Sequence, residues 1–280
     1  MRFQIQKVRN EGSSELFTAR LWLGILEIRD QALQFGSDNP VSARDSFDRN
    51  YKPVLDALET LRTAARNIQS LIVEHRQKVE AGEIVSFQPN AVAISESIET
   101  ELRDTVSTFL NAGARALKGM QPLLDRFQIS IGCLFMKETN FQKGLEKLRR
   151  NGQAPVADYL SAVRTSWSEQ FMERRNALEH QGWCPSPVEY RVSDKRIAMI
   201  EPDIDGTFVS AYVNRISNRI IGFVEDLIAY AFSTMLPDPV ILIEELATER
   251  DSERPTRFQV SLAGNDRTPW LLQYDDQGFH

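Results

Sequence analysis

The stretch Arg174-Arg175-Asn176-Ala177-Leu178-Glu179-His180-Gln181-Gly182-Trp183 gathers a cation, an amide, a carboxylate and an imidazole within ten residues. A histidine gains or loses a proton near neutral pH, as attack by a ribose 2′-hydroxyl on the adjacent phosphodiester requires. An arginine stays charged and braces phosphoryl oxygens as negative charge grows on them. Arg175 and His180 are therefore the candidate catalytic residues for RNA cleavage, with Asn176 positioning either group. A helix C-terminus favours the protonated imidazole, which suits His180 to the acid role. These steps call for no metal and no cofactor.

The spacing predicts that these residues end a helix running from Ala154 to His180, with Leu160, Val163, Trp167, Phe171 and Leu178 as its buried stripe and Pro155 in its first turn. On a straight α-helical wheel with Leu160 at zero, Arg175 lies roughly 60° from the core direction, while Asn176 and His180 fall on the far side. Arg175 and His180 then converge only if the helix ends before His180, which Gln181-Gly182 favours, or if a second copy supplies one of them. A plainer reading stands beside this one: Arg175 and Glu179, four apart, form a surface ion pair, and His180 caps the helix. Arg174 falls on the apolar side and bridges helices; Trp183 either shields the site or packs under the loop. Cys184 adjoins His180, but no glycine loop precedes it to stabilise an oxyanion, so a thiol hydrolase is not expected. His75, after Glu74 on a long helix, reads as a solvated side chain, and His280 as terminal.

The elements that must hold this stretch are mostly helical. Leu16, Leu23, Leu26 and Leu33 predict a helix over 13–35, capped by Ser13 or Ser14, and residues 36–40 form a loop. Phe47, Tyr51, Val54, Leu58, Leu61, Ala65, Ile68 and Ile72 place a long amphipathic helix over 43–81, stopped by Gly82. Residues 83–90, with Pro89, read as a connection. Ile94, Ile98, Leu102, Val106, Phe109, Gly113 and Leu117 mark a second helix to about Lys118. After Gly119 a shorter helix runs from about Pro122 into Phe135, and another covers 140–150. Beyond Pro187, 188–192 and 196–200 predict a small hairpin across Ser193-Asp194-Lys195, and Asp205-Gly206 a second turn. Helix returns over 208–236, and 240–246 and 257–262 are strand material.

A net charge of -6 argues against broad binding to nucleic acid but permits a local basic surface. Residues 137–175 supply one, with eight Lys and Arg against five Asp and Glu. Two cysteines make neither a disulfide framework nor a zinc site and point to a reducing cytoplasm. The residues from Met1 to Lys7 carry no secretory signal. The apolar run 220–236 is interrupted by Glu225 and Asp226, so no membrane span is expected. From Pro237 the chain is acidic.

Arg175-Asn176, three residues, then His180 resembles the R-x4-6-H signature of HEPN domains, in which a polar residue follows the arginine; the long helices before it and the one after it match as well. The likeness covers about Ala43 to Leu236. It implies a mainly α fold, a HEPN-like helical bundle, to which the residues themselves add a small β-hairpin after the motif helix and a short, partly β C-terminal segment. It implies a homodimer whose two motifs meet at one composite site, RNA as substrate, and metal-independent endoribonuclease activity of the kind found in toxin–antitoxin, phage-defence and CRISPR-associated systems. An antitoxin or regulatory protein is the partner such systems use. In one departure, family toxins paired with a nucleotidyltransferase antidote often carry a tyrosine two residues after the histidine, where this chain has Gly182; that argues against this pairing. The organisation expected is an N-terminal helix (1–40), a HEPN-like domain (41–236) and an acidic extension (237–280). The alternative is a non-catalytic helical interaction or scaffold protein whose stripes serve oligomerisation and whose acidic tail binds a partner.

Overall fold

The long apolar stripes become the buried faces of a mainly α structure. The computed structural model describes residues 12–89, 91–193, 196–264, 267–276 and 279. The N-terminal stretch through Lys7, the turn residues Asp194 and Lys195, Asp266 and His280 lie outside the described residues.

A π-helical stretch, Thr18–Gly24, leads into α1 (Ile25–Gly36). Glu15, rather than Ser13 or Ser14, caps this entry: its carboxylate accepts the Thr18 N–H at 2.9 Å. The long helix α2 (Pro40–Glu80) begins three residues earlier than its stripe suggests. Asn39 accepts the Ser42 N–H at 3.1 Å, and Pro40 needs no donor partner in the first turn. The eight stripe residues of α2 are all buried.

Residues 83–90 are more than a connection. Strands β1 (Val85–Gln88) and β2 (Ala91–Ile94) pair antiparallel, so Ile94 belongs to a strand and not to the following helix. Helix α3 (Glu99–Leu124) then runs past Lys118, through Gly119 and Pro122. Gly119 does not stop it, because this glycine faces α2: a Cβ there meets Val54 Cγ2 at 3.0 Å. Pro122 is tolerated two residues from the helix end. The helix expected from Pro122 into Phe135 is replaced by two 3₁₀ turns, Asp125–Phe127 and Gly132–Phe135.

Helix α4 (Glu138–Arg150) follows. Then α5 (Ala154–Val163), a π turn (Arg164–Ser168) and α6 (Glu169–Gln181) form one continuous run bearing the motif. The hairpin β3 (Glu189–Ser193) and β4 (Arg196–Ile200) forms where expected, but Ser193 pairs with Arg196 and so belongs to the strand rather than to the turn. Strands β5 (Asp203–Ile204) and β6 (Thr207–Phe208) turn through Asp205 and Gly206, both at positive φ, the geometry that matches strand twist. Helix α7 (Val209–Ser233) and the antiparallel pair β7 (Val240–Glu244) and β8 (Phe258–Leu262) complete the order. Among the described residues no helix is long and apolar enough to cross a membrane.

Helices α2 and α3 pack along most of their length, and α7 packs against α1, α2 and α3. One apolar cluster reaches from Phe17 and Leu21 through the bundle to Phe258, Leu272 and Phe279. A smaller one, Val79, Ile84 and Ile197, joins the end of α2 to the first two hairpins. His75 is buried rather than solvated: β3 folds back over α2, and the Tyr190 hydroxyl lies 2.7 Å from His75 Nε2. Burial lowers the pKa of this imidazole.

Glu225 and Asp226 are both buried in α7. Arg20 Nε donates to both Glu225 oxygens, at 2.9 and 3.1 Å. Arg257 Nη1 reaches Glu225 at 3.2 Å and Asp226 at 2.6 Å, and its Nε reaches Glu244 at 2.6 Å. The Tyr159 hydroxyl donates to Asp226 at 2.8 Å. Burial raises the Glu225 pKa, but Arg20 and Arg257 outweigh it and hold this carboxyl below its ordinary value. Asp226 is pushed up to about 6, chiefly by burial, with Arg257 opposing and Glu225 adding to the rise.

Two outcomes follow from this cluster. Arg257→Ala leaves two buried carboxylates short of a partner and costs about 3–5 kcal/mol, read as a lower urea midpoint. Because folded Asp226 holds its proton to higher pH than unfolded Asp226, its contribution to stability falls as pH rises from 3.8 to about 6. Relative to Asp226→Asn, the parent loses about 2–3 kcal/mol across that window; equal stability differences at both ends contradict the assignment.

Candidate functional site

Arg175, Asn176 and His180 all lie on α6, and the π turn upstream decides where they point. A π turn winds more residues per turn than an α-helix, so everything beyond it is rotated back from its position on a straight wheel. Arg175 is carried from the flank toward α3, and its side chain is only 19% exposed. There its Nε donates to Asn111 Oδ1 at 3.2 Å. Gly113 makes the approach possible: a Cβ at that position comes within 2.7 Å of Phe171 Cζ and 2.8 Å of Ile220 Cδ1. Trp167 and Phe171 are core residues, as the stripe indicates.

Two further acceptors hold the Arg175 guanidinium. Nη1 donates to Asn176 Oδ1 at 3.1 Å, and Nη2 to Glu179 Oε1 at 2.5 Å. The other Glu179 oxygen lies 3.8 Å from His180 Nε2. One carboxylate thus stands between guanidinium and imidazole. His180 itself is 72% exposed.

The helix does not end before His180; it continues to Gln181. The early end that Gln181-Gly182 suggested comes two residues later, because Gly182 is the left-handed cap residue at φ 67. The Trp183 N–H then closes back on the Ala177 carbonyl at 3.2 Å. Within one copy, Arg175 and His180 are linked through Glu179 rather than aligned on one face. Arg174, expected to bridge helices, instead ties the motif helix to the β5–β6 turn: it donates to Asp205 at 2.7 Å and lies over the half-buried Trp183 ring. Gln170 donates to the same carboxylate at 3.0 Å.

The locally basic segment is largely paired. Arg164 is buried against Glu169 and the Met136 carbonyl. Arg149 pairs with Asp158, and Arg150 with Glu146. Lys137, Lys143 and Lys147 remain exposed around α4. Just past the motif helix, a cavity of about 220 Å³ is lined by Glu99 and Arg103 of α3 and by residues 184–188, including the exposed Cys184. Among the described residues, no three His, Cys, Asp or Glu side chains gather so as to hold a metal ion.

The sequence reading missed Asn111 and Asp205, each of which fixes one arginine of the motif. Asn111 had a visible signal, a lone amide between Phe109-Leu110 and Ala112-Gly113 on an otherwise apolar face. Asp205 had none, since its partner lies 31 residues away. No family model matches the chain, and no curated protein or solved structure matches it either.

Gly182 sets the point at which the chain leaves the motif. Gly182→Ala places a Cβ on a left-handed residue and destabilises by about 1 kcal/mol, whereas Gly182→Asn costs less. Thermal denaturation of both variants checks the order.

Proposed function

We propose that the chain is a HEPN-type, metal-independent endoribonuclease that works as a homodimer. The observation that carries this reading is the shared carboxylate: a guanidinium fixed by Asn111, Asn176 and Glu179 stands one group away from an exposed imidazole at a helix end. The mainly α bundle and the long helix α7 after the motif are consistent with it.

In the proposed reaction the 2′-hydroxyl oxygen attacks its neighbouring phosphorus as a histidine takes the hydroxyl proton. The bond to the 5′-oxygen breaks, and a protonated histidine supplies the proton that this oxygen needs. The products are a 2′,3′-cyclic phosphate and a 5′-hydroxyl. Two copies of His180 can divide the base and acid roles, which one copy alone cannot perform together. Arg175 stabilises the charge that develops on the non-bridging oxygens. To do so it must exchange Glu179 for the phosphate, and Asn111 and Asn176 hold it in place during the exchange. Such an activity suits a toxin or phage-defence effector kept in check by an antitoxin or other regulatory protein.

A second reading, a non-catalytic interaction protein, draws on the groove between α2 and α3. That groove, about 750 Å³, carries Glu59, Glu101 and Asp104 among threonines and repels RNA. Glu244 and Asp276 of the acidic C-terminal segment pair internally, with Arg257 and Arg219.

Arg175→Ala and His180→Ala, each shown to be folded, are incubated with RNA in EDTA. The ribonuclease reading expects each to cut at least about 100-fold more slowly than the parent. Equal cutting by parent and both variants refutes it. Growth arrest on expression of the parent but not of His180→Ala refutes the scaffold reading.

A further inference from the structure

The hairpins β1–β2 and β3–β4 flank the C-terminal end of α2 and border a groove of about 520 Å³. Its walls carry Phe87 from β1, Arg191 from β3 and Arg196 from β4. The register fixes the two arginines: Arg191 stands opposite Ala198, and Ser193 opposite Arg196. Both therefore rise from the same face of the hairpin as diagonal neighbours, roughly 7–8 Å apart. Phe87 is 51% exposed beside them.

These two cations differ from most arginines of the chain. Arg20, Arg29, Arg62, Arg164, Arg174 and Arg257 each meet a carboxylate. Arg191 and Arg196 are exposed, and among the described residues neither has an ion-pair partner. Among the described residues, Glu80 is the one carboxylate lining the groove. The carbonyls at the end of α2 offer little repulsion to an anion, because those of Gln77, Lys78 and Val79 already accept N–H groups from Ala81, Glu83 and Gly82.

We propose that this groove holds single-stranded RNA for the Arg175–His180 site, with phosphates on Arg191 and Arg196 and a base stacked on Phe87. The proposal rests on the ribonuclease reading and adds a substrate-holding site to it. Two guanidiniums beside an exposed ring are what a strand needs, charge for its backbone and a flat face for its bases. An acidic peptide has use for the charges but not for the ring. The groove also lies within reach of the motif along the chain: from Gly182 to Arg191 is nine residues, at most about 32 Å when fully extended.

The test is fluorescence anisotropy of a labelled short oligouridylate in EDTA, with every protein carrying His180→Ala so that nothing is cut. The arginines are exposed and have no ion-pair partner among the described residues, so Arg191→Gln with Arg196→Gln should fold as the parent does, which circular dichroism checks. The pair of substitutions is expected to weaken binding about tenfold or more and to flatten the plot of log affinity against log salt by about 1.4, two phosphates at roughly 0.7 each. Phe87→Ala is expected to weaken binding about tenfold with the salt slope unchanged. Parent-like binding by the double variant, parent-like binding by Phe87→Ala, or displacement of the oligonucleotide by polyglutamate as readily as by unlabelled RNA each overturns the proposal. The two readings fail separately. With His180 restored, a chain that binds RNA through the groove but cuts none refutes the ribonuclease and leaves the groove standing. A chain that cuts RNA equally well with and without the groove substitutions refutes the groove alone.

Discussion

Two adjacent carboxylates inside an apolar helix set the terms for the rest of the chain. Helix α7 is buried along most of its length, so neither Glu225 nor Asp226 can be solvated by water. A buried charge is tolerated only when paired and hydrogen-bonded. The partners come from opposite ends of the sequence: Arg20 from the first helical stretch and Arg257 from the last hairpin. Docking these ends on α7 is thus an electrostatic requirement as well as an apolar one. Phe279, placed over the Arg20 guanidinium at 3.8 Å, helps to seal the pair from solvent. The price of such a cluster is that removing one member exposes the cost of all the others.

With α7 fixed, α3 has a surface to pack on and α6 packs in turn on α3, and small differences in that packing aim the motif. Gly113 brings α3 close to Phe171 of α6 and Ile220 of α7, which puts Asn111 within reach of Arg175. The π turn at 164–168 supplies the rotation. It also buries Arg164, whose guanidinium ties α4, through the Met136 carbonyl and Phe141, to the motif helix. The outcome is asymmetric: Arg175 is held from three sides, while His180 stands in solvent with Glu179 as its nearest charge. A fixed cation and a free imidazole suit a reaction in which one group braces charge and the other moves protons.

Much of the helical architecture is legible in the spacing of apolar residues, because stripes at threes and fours have few alternatives. The α2 stripe from Phe47 to Ile72 is of this kind; the hairpin over 188–200 and the turn at Asp205-Gly206 are legible instead in their turn residues. The departures share a cause, a decision taken by distant residues. Gly119 reads locally as a stop, yet it is a contact with Val54. Pro89 reads as a loop, yet the strands on either side pair across it. His75 reads as solvated because Tyr190 is 115 residues away. In the candidate site, Arg175, Asn176, Glu179 and His180 are visible as a local cluster, but the wheel cannot show their orientation. A π turn leaves no clear mark in composition, and Asn111 enters from another helix.

The account turns on one phosphodiester shared by two copies of this motif. The direct measurement is a crystal structure of the chain with RNA whose reactive 2′-hydroxyl has been replaced by hydrogen. The account predicts a scissile phosphate lying between the two copies, touched by Arg175 guanidinium and His180 imidazole groups, with Glu179 released from Arg175. Motifs that face separate solvent, with Arg175 still closed on Glu179 and no phosphate between the copies, contradict it.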